Sequence, residues 1–133
     1  MTRPPREPLR LPYQYVVLRC VPRVEREEFL NVGVVLYCQR AEFLASAGHV
    51  DEARLDGFAR GIDVGAVRRT LAHVDAVCRG EDGLGPAAAG DLGVRFGYLR
   101  APRSTVVQPG PVHGGLTSDP AAELQRLVDQ LVR

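Results

Sequence analysis

The 133-residue sequence contains no lysine: all 17 of its basic residues are arginine. That absence removes Schiff-base catalysis and the phosphate-gripping lysines of P-loop and kinase-type nucleotide sites. Excess charge is missing too. Sixteen acidic side chains leave a formal net charge of +1, which gives no general attraction to nucleic acid or to an anionic lipid surface. No apolar run approaches the roughly 18 residues of a membrane span. The N-terminal arginines and prolines are not followed by the apolar segment of a secretory signal, so the expected location is the cytoplasm. Cysteine is scarce: Cys20, Cys38 and Cys78 make neither a C-x-x-C site nor a disulfide framework, and they read as small buried hydrophobes. His49, His73 and His113 lack metal-ligand spacing with one another or with the cysteines. Ser46, Ser104 and Ser118 stand in no nucleophile-elbow context. No catalytic residue, metal or cofactor is therefore assigned.

What is present belongs to one α+β domain. A hydrophobic fraction of 45% and a charged fraction of 25% are those of an ordinary globular protein. A chain of this length buries about two-thirds of its unfolded surface without disulfides or metal. Two β-branched runs, 13–21 and 32–38, read as an antiparallel pair of strands at the centre of the domain. In 32–38 both alternating faces are apolar, as expected of a strand covered on both sides. In 13–21 the residues Val16, Leu18 and Cys20 make one apolar face, and Arg19 interrupts the other. With a turn centred near Arg26–Glu27, Cys20 would face Gly33 and Cys38 would face Tyr15, too far apart to bond.

Residues 41–47 read as a third strand, giving a meander of three to four strands. Asp51 can cap a short helix with Leu55, Phe58 and Ala59 inward. Asp63 can cap a longer one over 63–79, with Val64, Val67, Leu71, Val74 and Cys78 on one stripe. Segment 80–90, rich in glycine, reads as a flexible loop. Segment 91–100 fits either a strand or a helix. A short strand near 104–109 should end at the turn Pro109-Gly110-Pro111. Asp119, Pro120 and the face of Leu124, Leu127, Val128, Leu131 and Val132 predict a helix over 119–132. Residues 1–12, with four prolines and three arginines, read as an extended arm before the single domain of 13–133.

Two polar segments stand out at strand ends, where loops carry function on a rigid scaffold. Segment 23–31 offers Arg23, Arg26, Glu27, Glu28 and Asn31 at a strand-to-strand corner. An Arg23–Glu27 pair is expected if the corner is helical, with Asn31 in the left-handed conformation that ends such a turn. Segment 102–113 offers Arg103, Ser104, Gln108 and His113. Arginine beside a hydroxyl and an amide is an anion-binding set. Each segment also has a purely local reading, as a solvated turn held by backbone hydrogen bonds.

The run Tyr15-Val16-Val17-Leu18-Arg19-Cys20-Val21-Pro22-Arg23-Val24-Glu25-Arg26-Glu27-Glu28-Phe29-Leu30-Asn31-Val32-Gly33-Val34-Val35-Leu36 resembles the opening of the bacterial domain-of-unknown-function family 3037 (DUF3037). Ala101-Pro102-Arg103-Ser104-Thr105-Val106-Val107-Gln108-Pro109 and the stretch from Pro111-Val112-His113 to Asp119-Pro120 resemble it as well. Gly97 departs from the aromatic-rich helix that the family usually places before Ala-Pro-Arg-Ser. Members are small proteins often encoded beside a HipA-like Ser/Thr kinase of the toxin–antitoxin type. The resemblance therefore implies a non-catalytic interaction or regulatory partner of such a kinase, binding through Arg23, Arg26, Glu27, Glu28, Asn31, Arg103, Ser104, Gln108 and His113. The alternative is an enzyme or a small-ligand or anion binder whose pocket is built from segments 23–31 and 102–113. A nucleic-acid partner is disfavoured by the neutral charge, no membrane is implied, and a homodimer is compatible with the pattern.

Overall fold

Alternation in β1 (Leu11–Cys20) and the continuous apolar run of β2 (Leu30–Cys38) place these two strands at the middle of an antiparallel sheet. The computed structural model describes residues 9–103 and 105–133. Within them lie five strands and five helices of a single α+β domain. Most of the expected N-terminal arm (residues 1–8), and Ser104, lie outside the described residues. Leu11 and Pro12, read as part of that arm, already belong to β1.

The β1–β2 register differs from the expected one. Gln14 faces Tyr37 and Leu18 faces Gly33, a slip of two residues. A bulge then leaves Val32 unpaired, so that Arg19 faces Asn31 and Cys20 faces Leu30 rather than Gly33. The cause lies in the corner, which is not symmetric. It is a single 3-10 turn, Val24–Arg26, closed by Glu27 in the left-handed conformation at φ 54°. Asn31, expected there, is in β2 instead. Because the slip before the bulge is an even number, each side chain keeps its face. The thiols remain apart, and all three cysteines are free and buried.

The third strand, β3 (Phe43–Gly48), starts two residues later than expected because residues 39–42 make a tight turn with Glu42 at φ 51°. It pairs with the far side of β2. Gly33 permits a close approach of its neighbours. An added Cβ there would meet the Ala47 carbonyl at 3.2 Å and the Leu71 side chain at 3.3 Å.

The other edge of the sheet corrects the sequence reading. Strand β4 (Val107–Pro109) pairs with residues 18–20 of β1, and a fifth strand, β5 (His113–Thr117), pairs with residues 11–15. The Pro109-Gly110-Pro111 stretch does not turn the chain away. It is an interruption in one edge, where the Gly110 N–H still donates to the Val17 carbonyl at 2.8 Å. Proline is tolerated there because an edge strand needs only half of its N–H groups for the ladder.

One sheet face carries α1 (Glu52–Phe58), α2 (Val64–Arg79), α3 (Pro86–Ala89) and α4 (Leu92–Leu99). Leu55, Val67, Val74, Val77, Phe96 and Leu99 pack there on Val16, Leu18, Cys20 and Val35. Asp51 and Asp63 cap α1 and α2 as expected, each accepting a backbone N–H. Segment 91–100 is a helix. Asp91 accepts the Val94 N–H at 2.9 Å, and Phe96 stacks on Tyr37 with ring centroids 5.2 Å apart. That contact together with the burial of Phe96 and Leu99 offsets the helix penalty of Gly93 and Gly97. The glycine-rich stretch is not all loop either: Pro86 opens the one-turn α3, which buries Ala88.

The opposite face carries α5 (Pro120–Leu131), capped by Asp119, which accepts the Ala122 N–H. Its Leu124, Leu127 and Val128, with Val132, cover Val34, Leu36, Cys38 and Tyr13. Leu131, placed by periodicity on the same face, is 36% exposed. Because α5 packs mainly on β2 and β3, no helix among the described residues packs broadly over the part of this face made by residues 15–19 of β1 and by β4. No helix among the described residues is long and apolar enough to cross a membrane.

Candidate functional site

The corner after β1 is charged and exposed. Arg23 pairs with Glu25 at 3.5 Å and Arg26 with Glu28 at 2.6 Å, so the expected Arg23–Glu27 pair is not made. The 3-10 turn spans only Val24–Arg26 and Glu27 leaves it in the left-handed conformation, so the chain never takes the α-helical spacing that sets residues four apart side by side. Such exposed pairs contribute at most about 1 kcal/mol each. Two apolar side chains stand among these charges, Val24 at 61% and Phe29 at 44% exposure. Leu30 folds onto the core, whereas Phe29 does not.

Beside the corner lies a cleft of about 620 Å³. One wall is Pro22, Arg23, Arg26 and Glu28; the other is the α1–α2 connection, from Phe58 to Asp63. Val106 closes it from the segment before β4, whose carbonyl accepts the Val21 N–H. The acids of the cleft are already engaged. Glu28 holds Arg26, and Asp63 accepts the Ala66 N–H at 3.0 Å and lies 3.7 Å from Arg69. The volume is that of a small-ligand site, but five of the eleven lining residues are charged and exposed to solvent.

The residues singled out in the sequence are therefore not gathered in one place. Arg23, Arg26 and Glu28 line the cleft; Arg103, Gln108 and His113 do not. Glu27 is exposed in its left-handed turn. Arg103 donates to the Tyr98 carbonyl and lies 4.1 Å over the Tyr98 ring, a contact that ties the chain to the end of α4. Gln108 Nε2 donates to the Thr105 carbonyl at 2.9 Å. His113 stacks on Tyr15 at 5.3 Å, on the sheet edge. Asn31 Nδ2 donates to the Leu131 carbonyl at the end of α5, also at 2.9 Å. Ser104 falls outside the described residues.

The two segments do approach each other, but through an intermediary. Arg19 of β1 has Asn31 as cross-strand neighbour on one side and Gln108 on the other. Sequence reasoning noted Arg19 only as an interruption of an apolar face. That interruption was the available signal. Phe58, Arg60 and Asp63, which build the second wall of the cleft, carry no comparable mark, because only the tertiary fold brings residues 58–63 to residues 22–28.

Titratable groups elsewhere are shifted for structural reasons. Burial pushes the Cys78 thiol up to about 12 and raises Cys20 as well. Tyr13 is raised, first by burial and then by its hydrogen bond to Glu123. Glu123 is held below its ordinary value, chiefly by the hydrogen bond from Arg126 and also by that from Tyr13. His73 lies 3.4 Å from the Tyr98 hydroxyl. Among the described residues no group of three or more His, Cys, Asp or Glu side chains is placed to hold a metal ion.

Fold and surface together define a small α+β domain with a helix-covered sheet face, a half-covered one and a charged corner between strands. The family model described as "Protein of unknown function (DUF3037)" matches residues 15–132, nearly the whole chain, and the protein belongs to that family. The chain matches no curated protein and no solved structure.

Proposed function

We propose that this protein acts as a binding partner of a HipA-like Ser/Thr kinase, using the corner of residues 22–29 and the adjoining cleft, and that it performs no chemistry of its own. The observation that carries the reading is the composition of the corner. Val24 and Phe29 are exposed apolar side chains set among arginines and glutamates. Apolar anchors inside a charged rim are the anatomy of a protein-binding surface. The cleft beside them is open enough to receive a side chain or a loop from the partner. The kinase itself enters through the family resemblance.

The test is calorimetric titration of this protein with the kinase-like protein encoded beside it. Val24→Asp and Arg26→Glu change exposed side chains and should leave the melting temperature near wild type. Each is expected to weaken binding by about tenfold or more, as loss of an anchor does. Wild-type affinity in both variants, or no binding by the unaltered protein, overturns the proposal.

A further inference from the structure

Arg19 lies on the part of the sheet that no helix among the described residues covers broadly, between Asn31 of β2 and Gln108 of β4. Residues directly opposite one another project from the same side of a sheet, so the three make a polar row across it. The Arg19 guanidinium sits against the Phe29 ring, its Cζ 4.0 Å from the ring centroid. It also rests on Gly110, where an added Cβ would come within 2.9 Å of both Cζ and Nε. Aromatic stacking and backbone contact thus fix the fork in advance, which reduces the entropy lost on binding. Its Nε is buried and has no hydrogen-bond partner among the described residues, and Arg19 joins none of the ion pairs formed there. Next to it, Asn31 Oδ1 is likewise buried without a partner among the described residues, while its amide nitrogen donates to the Leu131 carbonyl.

We infer that Arg19, flanked by Asn31 and Gln108, is the anchor of a site for an acidic residue of a polypeptide partner. The carboxylate accepts from the guanidinium fork, whose planar geometry it matches. The unfilled amide oxygen of Asn31 suits a backbone N–H of the same peptide. The Phe29 ring against the guanidinium and half-buried Val17, the preceding residue of β1 on this face, give the pair a partly apolar setting, which strengthens it. The inference rests on the reading of this protein as a binding module, but not on which protein it binds.

The test follows the Arg19 Nε–H signal by NMR in nitrogen-labelled full-length protein. The probes are N-acetyl-glutamate N-methylamide, its glutamine analogue and inorganic phosphate; no kinase is present, so failure here leaves the kinase proposal standing. A saturable shift is expected with the glutamate compound, with the glutamine analogue weaker by about tenfold or more. Gly110→Ala, which fills the space occupied by the guanidinium, should weaken the response. Arg19→Lys should fold, keep the charge and lose affinity for the same probe, read from the Asn31 side-chain amide. Equal responses to the glutamate and glutamine compounds, a response unchanged in Arg19→Lys, or tighter binding of phosphate than of the glutamate compound would each overturn the inference. The wild-type titration decides even if a variant does not fold.

Discussion

The two sides of β1 have opposite fates. Val16, Leu18 and Cys20 are sealed under α2 and α4, whereas Tyr15, Val17 and Arg19, their alternating neighbours, are only half-buried. The strand alternates because a pleated backbone sends successive side chains to opposite faces. The contrast comes from the helices: four lie on one face, and the single helix on the other sits over β2 and β3. One strand therefore serves the core with one set of side chains and offers a surface with the other. The surface lies at the corner between β1 and β2, next to both polar segments. Stability and recognition can then be separated by substitution at adjacent positions of one strand.

The largest expected effect tests that separation directly. Leu18→Ala removes a side chain that is 3% exposed and should cost about 2–5 kcal/mol, as buried leucine truncations do. Val17→Ala, one residue away on the half-covered face, should cost less than half as much; equal losses in chemical denaturation would show that the second face is sealed as well. The helix α5 provides a similar pair. Leu127→Ala is expected to cost about 2–5 kcal/mol, and Leu131→Ala, at the exposed rim, distinctly less.

Glycines sharpen the comparison at a smaller scale. A Cβ at Gly48 would lie 2.8 Å from the Val32 carbonyl, backbone that cannot swing aside. Gly48→Ala should therefore destabilise by about 1–3 kcal/mol, the usual cost of overpacking. Gly97, inside α4, would meet nothing within 4 Å. Gly97→Ala should stabilise by about 0.4–1 kcal/mol, because it restricts the unfolded chain without a clash. A lowered melting temperature for Gly97→Ala would mean that the open space is needed by the native packing.

Much of this arrangement was legible in the sequence wherever a run was long enough to show its period. The buried strand β2 follows from its apolar run alone, and the stripe of α2 and the face of α5 follow from apolar spacing together with an aspartate cap. Strand β5 was not legible, because His113-Gly114-Gly115-Leu116-Thr117 has weak strand propensity and follows two prolines. It forms because β1 is ten residues long and β4 pairs with only its last three, leaving donors and acceptors that the rest of the edge must satisfy. The helix in 91–100 needed a tertiary partner, Tyr37, to decide between two periods. The candidate site was visible only in part. Arg23, Arg26 and Glu28 lie together because they are close in sequence, whereas Arg19 gains Gln108 as a neighbour only once the edge strand has docked.

The smallest expected effect concerns the covered half of the second face, where Tyr13 ties β1 to α5 through a 3.0 Å hydrogen bond to Glu123. Glu123 is held below its ordinary value by Arg126 first and by Tyr13 as well. A carboxyl whose pKa is lower in the folded chain than in the unfolded one binds its proton more readily after unfolding. Stability from this group is therefore complete above its unfolded pKa and is lost as pH falls through the folded one. Tyr13 runs the other way at high pH. Its hydroxyl is raised in the folded chain, so its contribution is complete below the unfolded pKa and is lost as pH rises through the folded value. The expectation is a stability profile that declines on the acid side below the ordinary glutamate range. Tyr13→Phe should shrink both declines, and Glu123→Gln should flatten the acid one further, because it removes the titrating group. Denaturant midpoints measured against pH for the three proteins read this out. A Glu123→Gln profile with an undiminished acid decline would place the acid sensitivity elsewhere and leave α5 held to β1 by apolar contact alone.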